Sequence, residues 1–320
     1  MGLFLLKRLT TLLATLLGAS AVVFLVLEIL PGNAAQMLMG PDASPEAVAA
    51  LASKLGLDQP ALQRYGQWIG GLVGGNMGES YSYSSPVLDL VLERLALTVP
   101  LALMAMVITT VLALLAGVYA ASRHNRWGDV GVMALAQVGI AIPNFWFAIL
   151  LILLFSVKLQ WFAAGGFPGW TEDSGGGPLP ALQALLLPAI ALAVVQAAIL
   201  ARITRSAVLE VLREDFVRTA RAKGLSQRAA LWGHVLRNAM IPVVTVMGLQ
   251  FASLLAGTIV VENVFYLPGL GRLIFQSIAN RDLVVVRNCV MLLAAMVVVV
   301  NFFVDLLYAV IDPRVKASDV

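Results

Sequence analysis

Charge is the scarcest ingredient of this sequence. Only 12% of its 320 residues are Asp, Glu, Lys or Arg, against 60% hydrophobic, and the mean hydropathy is +0.90. Soluble domains carry about a quarter charged residues, so a bilayer rather than water is the natural solvent here. Cysteine is nearly absent: Cys289 stands alone, which excludes an intrachain disulfide and a thiolate metal cluster. The two histidines, His124 and His234, are far apart and have no ligand spacing around them. No G-x-x-x-x-G-K-[ST] phosphate loop occurs, and "PGLGR" at 268–272 lacks the third glycine of a dinucleotide turn. The net charge of +3 is too small to argue for nucleic acid. No metal, nucleotide or other cofactor is therefore expected on this chain.

What is present is long apolar runs. A helix crosses the hydrocarbon core with about 20 apolar residues. Suitable runs are Leu9 to Leu27, Leu95 to Ser122, Val130 to Val157, Ser174 to Ala201, Asn238 to Val261, and Asn288 to Val304 resuming as Leu306 to Ile311 beyond Asp305. The expected fold is an all-α membrane protein of six transmembrane helices. The first run has a rival reading as a secretory signal, with Lys7 and Arg8 before it and Ala19-Ser20-Ala21 as a cleavage site. Its apolar stretch continues past that site through "VVFLVL", which favours a retained helix. With the N-terminus inside, 14 of the 21 Lys and Arg residues fall on the cytoplasmic side and 7 outside, so both termini are expected in the cytoplasm.

Three regions follow: a tail and first span at 1–30, an external segment at 31–94, and a core at 95–320 holding the other five spans. In the external segment "SPEAVAALASKLGL" reads as a short helix capped by Ser44, with Pro45 at its first position and Gly56 near its end. "GGLVGGNMGESYSYSSP" then reads as turn-rich loop, and "GGFPGWTEDSGGGPLP" as a second irregular external segment. Between the fourth and fifth spans, at about 204–238, the pattern changes. Leu209, Leu212, Phe216 and Ala220 recur at helical spacing, Gly224 is suited to a left-handed helix end, and Ser226 to capping a second helix with Ala229, Trp232, Leu236 and Ala239 on one face. The loop is basic. It either anchors topology against anionic lipid or docks a cytosolic partner; its small residues Thr219, Ala220, Ala222 and Gly224 let backbone approach backbone, which favours docking.

"RTARAKGLS" at 218–226, followed by "HVLRNAMIP", resembles the EAA loop of ATP-binding-cassette (ABC) importer permeases, pattern E-A-A-x-x-x-G then a spaced I-x-L-P. Arg218, Thr219, Ala220 and Gly224 match its first part; His234 and Leu236 fall at the I and L positions, and Arg237 replaces the proline. The R-T-A-R-A-K-G form is that of the dipeptide/oligopeptide/nickel branch. "LGLDQPALQRYGQWIGGL", "GNMGESY" (with Asn76 where aspartate is usual), "IPNFWFAILLILLFSVKL", "ENVFYLPGLGRLIFQSIANRD" and "NFFVDLLYAVIDPR" resemble the same branch in order along the chain.

The resemblance implies a type I importer permease in a bacterial inner membrane, non-catalytic, carrying peptides by alternating access. It implies that Phe216, Arg218, Thr219, Ala220, Arg221, Lys223, Gly224 and Leu225 form a coupling helix on a cytosolic ATPase. Implied partners are a second, homologous permease chain, two ATPase subunits that bind ATP and Mg, and a periplasmic or lipid-anchored solute-binding protein, besides membrane lipid. Nickel chelates or glutathione are the alternative cargoes.

Polar residues within the spans, Gln137, Asn144, Gln196, Gln250, Asn301 and Asp305, mark a candidate path, or else interhelical hydrogen bonds worth about 0.6 kcal/mol each. Asn301, Asp305 and Tyr308 share one helix face by spacing. Glu28 and Glu262 read as solvated interfacial acids, or as contacts to a binding protein or to a cationic peptide terminus. Glu262, Pro268, Gly269, Gly271 and Arg272 form a candidate external gate, with Arg281 and Asp282 beside it. A different class, an ion-coupled secondary transporter using Asp305 or Glu28, lacks the internal repeat such proteins show. An intramembrane hydrolase would need a second aspartate or a nucleophile–base pair inside the spans.

Overall fold

A computed structural model describes residues 2–29, 34–40, 42–54 and 56–311. The order is α1 (Gly2–Ile29), α2 (Ala34–Met39), α3 (Pro45–Lys54), α4 (Ala61–Val73), α5 (Val87–Ser122), α6 (Trp127–Ala141), α7 (Asn144–Leu151) continuing as a π-helix to Lys158, α8 (Pro178–Val211), α9 (Asp215–Ala222), α10 (Gln227–Ala230), a π-turn (Leu231–Val235), α11 (Leu236–Val264), α12 (Leu270–Ala279) and α13 (Leu283–Ile311). No named strand occurs among the described residues.

Among the described residues, five helices are long and apolar enough to cross a membrane: Leu5–Ile29, Val87–Ser122, Pro178–Val211, Gln227–Val264 and Leu283–Leu306. The sixth expected span is not one rod. Trp127–Ala141 and Asn144–Lys158 meet at a bend of 102°. Pro143 supplies the reason: the residue before a proline is driven out of the α region, and Ile142 sits at φ −86°, ψ 123°. The fourth span starts four residues later than expected, at Pro178, because left-handed Gly175 and Gly177 end the preceding turn.

The chain divides into two compact units. The first comprises Met1–Thr98 and Pro268–Val299. Here α1 is held by α4: the Phe24, Tyr65 and Trp68 rings lie 5.4 to 6.2 Å apart, and the Ser20 hydroxyl meets Tyr65 Oη at 2.8 Å. The helix runs unbroken through Ala19–Ala21 and is long and apolar enough to cross a membrane. Ser44 caps α3 as expected, its Oγ accepting from the Ala47 amide at 3.3 Å. Helix α4 was not expected to reach Val73, since its run of glycines reads as loop. Gly71 is there for a close approach: a Cβ would sit 2.8 Å from the Asn76 carbonyl oxygen. Asn76 closes the following turn, its Oδ1 accepting from the Gly78 amide at 2.8 Å.

The second unit comprises Val99–Leu267 and Val300–Val320 and is organised around α8, whose most apolar stretch is more than half buried. Small residues set its helix distances. A Cβ on Gly117 of α5 would lie 2.7 Å from the Ala201 carbonyl oxygen of α8, and one on Gly248 of α11 would collide with the Val304 isopropyl group of α13. Gly248→Ala is expected to cost about 1–3 kcal/mol through overpacking, with recovery on adding Val304→Ala; thermal unfolding of the solubilised protein reads both.

Candidate functional site

The segment between the fourth and fifth spans folds as a helical hairpin. Helix α9 ends in a Schellman turn: the Gly224 amide donates to the Arg221 carbonyl at 3.0 Å and the Leu225 amide to the Ala220 carbonyl at 3.3 Å. Gly224 sits at φ +96°, the left-handed conformation its position demands. Ser226 then caps α10, its Oγ accepting from the Ala229 amide at 3.2 Å.

The facing of side chains differs from the sequence reading at two points. Leu209 and Phe216 do not share a helix, because α8 stops at Val211 and α9 starts afresh at Asp215. Val217 is the buried anchor (2% exposed), packed into a cluster with Leu200, Val208, Leu231 and Val235, whereas Phe216 is 43% exposed. In the second helix Ala230, Leu231, Val235 and Ala239 are buried, while Ala229 and Trp232 point outward. The π-turn at Leu231–Val235 inserts an extra residue, so a 3.6-residue count loses phase there. The outcome is a short helix braced from below and presenting Phe216, Arg218, Thr219, Arg221, Lys223 and Gly224 at the surface, with Ala220 and Leu225 half-buried. Among the described residues Arg218 reaches only the exposed Asp215, at 3.3 Å.

Ten residues before α9, an ion pair that sequence reading missed fastens α8. Asp129, in the first turn of α6, is 2% exposed and takes Arg205 in two contacts, Nε to Oδ1 at 2.5 Å and Nη2 to Oδ2 at 2.7 Å. The Asn125 amide adds a third bond at 3.0 Å, and His124 Nδ1 lies 3.5 Å away. An acid in the first turn of a helix beside a basic loop was the available signal; 76 residues of separation hid the partner.

Of the candidate path residues, the fold joins Gln196 and Gln250. Gln250, 5% exposed, donates from Nε2 to the Gln196 carbonyl at 3.0 Å, linking α11 to α8. Its Oε1 is buried with no partner among the described residues. Asn144 opens α7 at the 102° break and is half-buried, Gln137 is exposed on α6, and Asn301 and Asp305 are half-buried on α13. The Tyr308 side chain lies outside the described residues.

The candidate external gate is more buried than expected. Glu262 is fully buried and not a solvated interfacial acid, so it presents no surface to a docking protein. Gly269 and Gly271 are buried and Pro268 and Arg272 half-buried, because Leu270, Leu273 and Ile274 turn α12 inward. Asp282 is also enclosed: its carboxylate accepts from Ser80 Oγ at 2.6 Å and from the amides of Ser82 and Val285 at 3.0 and 3.2 Å, so it caps α13 and ties down the 80–82 turn. Glu28 pairs with Arg64. Exposed side chains near these residues in sequence include Tyr266, Phe275, Gln276, Ile278 and Arg281.

Residues 113–317 match the family described as binding-protein-dependent transport system inner membrane component, and residues 1–102 match its N-terminal counterpart. A peptide transport system permease protein of Brucella abortus (strain 2308) is 43% identical over 97% of this chain and 98% of its own length. The di/tripeptide transport system permease protein DppB of Pseudomonas aeruginosa (strain UCBPP-PA14) is 40% identical over 98% of each. Among solved structures, the MetNI methionine ABC transporter in an inward-facing conformation superposes with a TM-score of 0.54 at 18% identity, covering 70% of this chain and 97% of that one, a likeness of fold. With helical spans, no strand among the described residues and matches along nearly its whole length, the chain belongs to the inner-membrane permease subunits of binding-protein-dependent ABC importers.

Proposed function

We propose that this permease passes short peptides across the inner membrane, driven through α9 by a cytosolic ATPase subunit. The observation that supports it is mechanical: α9 is anchored by buried Val217 in a cluster with residues of α8 and α11, yet offers an exposed aromatic and two arginines outward, with Lys223 just past its end. A rigid knuckle of that kind transmits a push from an ATPase groove into two spans, and rocking of packed helices then alternates access. In this reading the N- and C-termini are cytoplasmic, the 31–94 segment is periplasmic, and ATP and Mg reside on two partner ATPases. A second homologous permease completes the pore, and a solute-binding protein delivers cargo. Gln196, Gln250 and Asn144 contribute the polar lining, and peptide cargo rests on the names of the relatives.

The test is uptake of a labelled dipeptide into vesicles holding the complete transporter and its binding protein. Internal ATP is expected to drive uptake, and a proton gradient alone is not. Phe216→Ala removes a surface side chain without touching the Val217 anchor, and is expected to cut ATP-driven uptake tenfold or more, roughly the effect of losing an interface hot spot. Unchanged uptake by that variant would refute α9 as the docking helix.

A further inference from the structure

Within the first unit, a pocket of about 540 Å³ opens between α1, α4, the 76–81 turn and the start of α13. That volume lies in the range of sites for small solutes, about 300–1,000 Å³. Its wall holds a cation, Arg287, with no carboxylate within salt-bridge distance among the described residues. Arg287 is half-buried, and no hydrogen bond to its guanidinium exists among the described residues; its Nε is enclosed and unpartnered. A guanidinium taken out of water is costly unless paired, so such a group awaits an anion.

The cation is also held in place. Its Cζ lies 4.7 Å from the Trp68 ring centroid. That ring is pinned in turn by Trp68 Nε1 donating to Asn288 Oδ1 at 2.9 Å, and Asn288 donates to the Met77 and Val284 carbonyls at 2.7 and 2.8 Å. Of the two acids lining the pocket, Glu28 is committed to Arg64 and Glu79 is exposed to solvent. Tyr81 stands close enough to interact with Arg287, and burial raises its phenol above the ordinary value, so it remains a neutral hydroxyl. Phe24, stacked on Trp68 at 6.2 Å, makes the apolar side. A planar fork against an aromatic face, beside an apolar wall, is an arrangement suited to a carboxylate on a small, partly apolar molecule.

We propose that this pocket is a vestibule site for the terminal carboxylate of a short peptide, with Arg287 as the anion-binding group and Trp68 as its positioning residue. The inference rests on the peptide-import reading and on its orientation, which places the pocket on the periplasmic side. Cargo released by the binding protein is held there by its C-terminus before entering the spans.

The test uses the permease–ATPase complex in nanodiscs, without binding protein or nucleotide. Saturation-transfer NMR compares alanyl-alanine with alanyl-alanine amide, which lacks the carboxylate. The free acid is expected to bind tenfold or more tightly than the amide, roughly the worth of a charge-assisted contact. Arg287→Gln is expected to abolish that preference and Arg287→Lys to restore part of it. The amide comparison needs no variant, so misfolding of Arg287→Gln does not blunt the test. Equal binding of acid and amide overturns the site. So does an Arg287→Gln variant that keeps the preference for the acid over the amide. Vesicle uptake separates the two claims: peptide uptake without an acid-over-amide preference removes the vestibule and leaves the importer reading, and the converse pattern removes peptide transport.

Discussion

Gly224→Val is expected to abolish ATP-driven uptake by the assembled transporter while ATP hydrolysis continues. The cost is conformational. A Cβ at this position meets nothing within 4 Å, but the residue must hold φ +96°, which a β-branched side chain resists strongly. The strain, about 1–3 kcal/mol, is relieved by opening the Schellman turn, losing the bonds that Gly224 and Leu225 make to α9. Helix α9 then leaves its fixed angle to α10, and force applied to it is spent on bending the turn. Gly224→Asn is the control, since asparagine tolerates the left-handed region and should retain most uptake. Hydrolysis and uptake measured in the same proteoliposomes decide the matter. Normal uptake by the valine variant would show that the turn carries no load.

Asp129→Asn should destabilise the protein by about 3 kcal/mol, toward the lower end for a broken buried ion pair because the Arg205 side chain is 23% exposed. The charge left behind, rather than the lost bond, dominates: Arg205 would face a neutral amide that cannot accept in two places from its fork. Removing both charges, with Asp129→Leu and Arg205→Leu, is expected to cost less than Asp129→Asn alone. Thermal unfolding of the solubilised protein measures both. If the single variant unfolds at the wild-type temperature, the pair does not brace α8. Since α9 follows α8 after three residues, the single variant should also lower uptake more than the surface change Arg218→Ala.

Features written in local spacing were legible. The apolar runs marked five spans and the region of the sixth, because a stretch of about 20 apolar residues has few other uses. Ser44, Gly224 and Ser226 declared helix ends, because capping joins a side chain or a backbone angle to neighbours within a few residues. The basic hairpin likewise stood out from its surroundings, and five family-like stretches in order pointed to the permease class.

Whatever depended on distant partners or on a shift of helical phase was hidden until the chain was folded. Phe216 and Val217 exchange roles because a break at residues 212–214 resets the count, and Trp232 faces outward because a π-turn adds a residue. Asp129 finds Arg205, and Trp68 finds Asn288, across 76 and 220 residues. Glu262, written like an interfacial acid, lies inside the packing. Hydropathy and capping are summed along the chain, where the sequence is explicit. Burial and pairing are set by which surfaces meet in space, and no local pattern encodes that.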